Sequence, residues 1–164
     1  MRTVNVLGIL ALAATVAGCS DDDDDGSGPP TPDFTADLAA SKEVSPPVPI
    51  TSGATGSTTF TQNGSSMSFT ITVAGLSSTP SAAHIHGPAD AATNASVIVP
   101  LALTAPATSG TIATGTFTAA DIVPASGLTF DAVVALMQSG NAYVNVHTAD
   151  HPAGEIRGQV EAEP

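Results

Sequence analysis

The chain has 164 residues, with three Lys and Arg against 15 Asp and Glu, a formal net charge of −12, one cysteine and few aromatics. That balance excludes nucleic acid as a partner, because its binding rests on Lys and Arg neutralising phosphates. The lone cysteine excludes a disulfide within the chain, so oxidation contributes nothing to folding.

Residues 1–18 read as an export signal. Arg2 is the only charge before Cys19, and the apolar stretch "VNVLGILALAATVAG" is shorter than the roughly 20 residues of a membrane-spanning helix. Its ending, "VAGC" at 16–19, resembles the lipobox of bacterial lipoproteins, with Val16 where that family usually carries Leu. The resemblance implies cleavage before Cys19, lipidation of Cys19 and delivery to the cell envelope, at the outer membrane or cell surface, with the membrane as partner through the lipid. Several acyl chains on one cysteine anchor durably where a single chain does not. Residues 19–33, "CSDDDDDGSGPPTPD", form an acidic, Gly/Pro-rich tether: five adjacent aspartates repel one another and nothing in the run can be buried. A spacer holding the domain off an anionic membrane is the reading preferred over a sorting signal.

Residues 34–164 suit one compact domain. Short runs rich in Thr, Val, Ala and Ser, broken by Pro and Gly, predict an all-β antiparallel sandwich. In "DFTADLAA" (33–40), Phe34, Ala36 and Leu38 share one face. Residues 54–76 predict a hairpin turning at Asn63-Gly64, with Met67, Phe69, Ile71 and Val73 on the buried side of its second arm. Strands are predicted over 82–89, 96–103, 110–122, 141–148 and 154–162. One segment departs from this period: "TFDAVVALMQSGN" (129–141) has an N-cap in Thr129, Asp131 in its first turn, a stripe of Val133, Leu136 and Met137, and a stop at Gly140. It predicts one short helix across an open end of the sandwich.

Three of the predicted strands carry polar side chains at alternate positions. His84 and His86 share a face opposite Ile85. Tyr143, Asn145 and His147 share one opposite Val144 and Val146. Glu155, Arg157 and Gln159 share one opposite Ile156 and Val160. If the three strands are neighbours, these faces form one patch gathering His84, His86, His147, Glu155 and Arg157. The connecting "ADHPAG" (149–154) adds Asp150 and His151.

On those residues the chain resembles a known family. "AAHIHGPA", followed later by "GNAYVNVHTADHPAGEIRGQV", is similar to the chordin-type (CHRD) domain of chordin and of many bacterial secreted proteins, as is "SKEVSPPVPITSGATGSTTF" (41–60) to that domain's start. The resemblance covers about residues 34–160 and implies an immunoglobulin-like β-sandwich. It implies little about chemistry, and the growth-factor binding of the animal protein is not carried over.

Two readings of the patch stand side by side. In the first it is a hydrogen-bond network: Arg157 pairs with Glu155 or Asp150, Asn145 joins them, and the histidines donate to carbonyls or carboxylates. In the second, His84 and His86 present two imidazoles to one ion and His147 closes a three-nitrogen site for copper or zinc. "HIH" on a strand also resembles Cu/Zn superoxide dismutase, but four histidines are too few for its two-metal site and its disulfide is excluded. No GxSxG elbow, phosphate loop or paired carboxylates mark an enzyme. The expectation is an envelope-anchored binding or interaction module for an unknown protein or small ligand, with a copper- or zinc-binding envelope protein as the alternative. An adhesin using the 87–96 loop is a third reading.

Overall fold

The computed structural model describes residues 33–44 and 50–164. The signal segment, Cys19 and all of the tether but Asp33 lie outside the described residues. Among the described residues, nine strands and one α-helix follow in order: β1 (Phe34–Ala39), β2 (Thr55–Asn63), β3 (Ser66–Ala74), β4 (Pro80–His86), β5 (Val97–Leu101), β6 (Gly110–Thr118), α1 (Phe130–Gln138), β7 (Tyr143–Thr148), β8 (Ile156–Gln159) and β9 (Glu161–Ala162).

All pairings are antiparallel, in the order β5-β4-β7-β8-β1-β2-β3-β6, with β9 adding to β1. The two layers of the expected sandwich are thus parts of one sheet that curls until its ends meet. There the segment after β5 reaches β6, Thr104 N donating to Ile112 O at 2.8 Å. Such near-closure leaves little free edge for another chain to pair with.

The alternation that predicted the strands also builds the interior. Phe34, Ala36 and Leu38 of β1, Met67, Phe69, Ile71 and Val73 of β3, and Ile85, Val144, Val146 and Ile156 of β4, β7 and β8 are all buried. Aliphatic side chains dominate, with Phe60 and Phe117 as the largest apolar pieces. Gly158 is required where β8 crosses β1, since a Cβ there would lie 2.1 Å from Asp37 O.

Several boundaries differ from expectation. The first hairpin turns on Gly64-Ser65 rather than Asn63-Gly64; Asn63 still pairs with Ser66, and Gly64 takes φ 60°. The strand expected over 154–162 is split, because Gly154 at φ 128° and Glu155 precede the ladder, and β8, which lies between β7 and β1, is followed after Gln159 by β9, which pairs with β1. The helix forms as predicted. Thr129 Oγ1 accepts from Ala132 N at 3.2 Å, and Gly140 at φ 69° closes it, with Gly140 N donating to Met137 O and Asn141 N to Leu136 O. Val133 and Met137 are fully buried, and Phe130 packs on Phe117 with ring centroids 6.0 Å apart.

Candidate metal centre

Strand β7 is the centre of the site because it pairs with β4 on one side and β8 on the other. Its register places Asn145 opposite both His84 and Arg157, and Tyr143 opposite both His86 and Gln159. The three polar faces therefore lie side by side, as the alternation required. They are not an open surface, however: Tyr143, Asn145 and Arg157 are all buried on the outer side of the sheet. Loop 87–96 folds over them from one side and the loop after β7 from another.

His84, His86 and His147 come together. One nitrogen from each ring lies within 4.8 Å of the others. His84 Nδ1 and His147 Nε2 are 3.1 Å apart. Each of the other two rings is oriented by a backbone carbonyl: His86 Nδ1 donates to Ala95 O at 2.9 Å, and His147 Nδ1 donates to Pro152 O at 3.0 Å. A ring that donates from Nδ1 in its neutral form keeps the lone pair on Nε2. For His147 that lone pair faces His84. For His86 it is buried with no hydrogen-bond partner among the described residues, a condition shared there only by Thr58 Oγ1.

The electrostatics keep these rings neutral. Burial holds His84 down at about 4, helped by the neighbouring His147 and His86. Burial also lowers His86 and His147, against the opposing effect of their carbonyl bonds. Neutral imidazole is the form that ligates a metal. Two nitrogens bound tetrahedrally at about 2.0–2.1 Å from one zinc would stand roughly 3.3 Å apart, close to the His84–His147 separation.

Arg157 is 1% exposed but meets neither of the carboxylates expected for it. Its Nη1 donates to Asn94 Oδ1 at 2.8 Å, and its Nη2 donates to Thr93 O at 2.8 Å and Asp90 O at 2.9 Å. The guanidinium also lies over the Tyr143 ring, 3.4 Å from its centroid. Asp150 is exposed and joins its surroundings through its backbone, its N donating to Ser78 Oγ at 3.1 Å. Asn145 bonds Glu43 and the Ile156 carbonyl.

Glu155 belongs to a separate network. It is fully buried and accepts from Ser52 Oγ, Ser77 N and Ser77 Oγ at 2.8 Å each, and from Thr148 Oγ1 at 2.7 Å. Burial raises its proton affinity, but these donors together carry it below the usual carboxylate range. The expected pairing of Arg157 with Glu155 or Asp150 is replaced by two independent arrangements, because Glu155 sits ahead of the ladder that orients Arg157.

Missed from the sequence were Glu43, the side chain of Asn94, the carbonyls of Asp90, Thr93, Ala95 and Pro152, and the stacking role of Tyr143. Glu43 is half-buried, and burial pushes it up to about 7 against the Asn145 bond and the Arg157 charge. Ala95 contributes only backbone, for which no side-chain pattern exists. A partial signal was present in Asp90-x-x-Thr93, where Asp90 Oδ1 accepts from Ala92 N and Thr93 Oγ1 and shapes the loop.

The fold and this site define a curled all-β domain with three clustered histidines on its covered outer face. The CHRD domain family model matches residues 34–160, and the chain belongs to that family. No curated protein and no solved structure matches it.

Proposed function

We propose that this protein is an extracytoplasmic CHRD binding module, held at the cell envelope through lipidated Cys19, that takes one copper or zinc ion on His84, His86 and His147. The observation that carries the metal reading is His86 Nε2, a buried acceptor without a partner beside two further imidazoles. Leaving such a group unsatisfied costs about 1–3 kcal/mol, which a bound cation would offset. A pure hydrogen-bond network would give that nitrogen a donor. Three imidazoles suit both ions, with Cu(II) the tighter by the ordinary affinity order.

The role assigned is binding rather than catalysis. His84 must give up its Nδ1 proton toward His147, by moving it to Nε2, for all three lone pairs to meet one ion. The test is metal content and melting temperature of the chain from Ser20 onward, made without a polyhistidine tag. Near-stoichiometric copper or zinc is expected, with a melting point that falls on chelation and recovers on add-back. At 100-fold excess over Kd, a ligand specific to the folded state adds about 2.7 kcal/mol. No bound metal and no shift would overturn the reading and return the three histidines to a structural role.

A further inference from the structure

We propose that Arg157 is a positioning residue for this centre, setting the donor nitrogen of His86 without touching any ligand. The inference rests on the metal reading of the same cluster and adds what controls it. Two connected paths run from Arg157 to His86. The first is a stack: the guanidinium lies 3.4 Å from the Tyr143 ring centroid, and that ring lies parallel to His86, with centroids 4.8 Å apart and an interplanar angle of 5°. The second is the loop. Arg157 gathers the carbonyls of Asp90 and Thr93 and the side chain of Asn94, which immediately precedes Ala95.

Ala95 is where the paths join. Its carbonyl accepts from His86 Nδ1 at 2.9 Å and from the Tyr143 hydroxyl at 3.3 Å, while its N–H donates to that hydroxyl at 3.2 Å. The carbonyl makes Nδ1 the protonated nitrogen of His86 and so makes Nε2 the ligand. The planar fork of Arg157 reaches several loop acceptors while stacking on a ring, which the point charge of a lysine does not reproduce. Metal sites elsewhere lose about 10- to 100-fold in affinity when such outer hydrogen bonds are removed.

His147 supplies an internal control, since its Nδ1 is oriented by Pro152 O on the other loop. The experiment uses the chain from Ser20 onward with ¹⁵N-labelled histidine, comparing wild type with Arg157→Lys, Tyr143→Phe and Asn94→Ala. Imidazole ¹⁵N shifts of the metal-free protein report each tautomer, and Cu(II) and Zn(II) titrations report affinity. Expected are a single Nδ1-protonated His86 in wild type, mixed tautomers at His86 but not His147 in the variants, and an affinity loss of about 10- to 100-fold for Arg157→Lys. A folded Arg157→Lys with unchanged His86 tautomer and affinity overturns the proposal. If that variant does not fold, Tyr143→Phe and Asn94→Ala decide by the same criterion; Tyr143→Phe keeps the ring and removes only its bonds to Ala95, and Asn94 is exposed. A wild type that binds neither metal overturns the proposed function alone, because the metal-free tautomers still decide whether Arg157 orients His86.

Discussion

His84 Nδ1 and His147 Nε2 face each other at 3.1 Å across the β4–β7 pairing, 63 residues apart in the chain. Without metal the contact is a hydrogen bond, because the bond to Pro152 O leaves His147 an acceptor there. In the proposed metal-bound form the two nitrogens would be neighbouring ligands. The same pair holds two strands in register and, under that proposal, would form one edge of the ion site.

Replacing His84 by Ala separates these roles. The variant loses a ligand but only one half-buried hydrogen bond, so the metal-free domain should lose about 0.5–1.5 kcal/mol. Metal affinity should fall by more than the roughly 100-fold that outer-sphere changes can produce. Denaturant unfolding of the chelated protein and metal titration of the native one check the two halves. A large loss of stability with unchanged affinity would contradict the ligand assignment.

The metal-free domain should gain stability as pH rises from about 4.5 to about 7 and change little above that. Glu43 titrates at about 7 when folded against an ordinary 4.5, so the stabilisation it gives at low pH disappears as pH rises through 7. The histidines act oppositely. His84 titrates at about 4 against 6.5, and His86 and His147 are lowered too, so the unfolded chain binds more protons below 6.5 and stability falls on acidification. Three groups outweigh one in that window, and above about 7 these groups bind no protons in either state, so stability is level there. Glu43→Gln, which keeps an acceptor for Asn145, should steepen the loss on acidification. Unfolding midpoints from pH 4.5 to 8 in both proteins check the slope.

Glu155→Gln should destabilise the fold by about 2–3 kcal/mol, since a charged, fully buried acceptor with four donors gains an NH₂ that must face at least one of them. Metal affinity should stay unchanged, because this network does not reach the histidines. A fall in both would show that the two networks are coupled.

Cys19→Ala should move the protein from the membrane to the soluble fraction of the producing cell. The acidic chain offers no other means of holding an anionic surface: Lys42 and Arg157 are the only bases beyond Cys19, and Arg157 is buried. Retention in the membrane fraction would refute lipid anchoring.

Much of this was legible because strand side chains alternate with a period of two. That rule alone put Phe34, Ala36 and Leu38 inside, set His84 with His86, and set Asn145 with His147; the cap at Thr129 and the stop at Gly140 likewise located the helix. Glu155 escaped the rule because alternation holds only within a strand, and Gly154 at φ 128° delays the ladder until Ile156. Charge, the single cysteine and the apolar start are properties of composition and needed no fold. What the tertiary structure alone decided is which strands are neighbours and what covers them. Pairing β4 with β7 and β7 with β8 depends on how the whole sheet curls, and the acceptors that orient His86 and hold Arg157 include backbone carbonyls of a loop. Every residue has a carbonyl, so no residue pattern marks the ones at Asp90, Thr93 and Ala95 before the chain has folded over its own outer face.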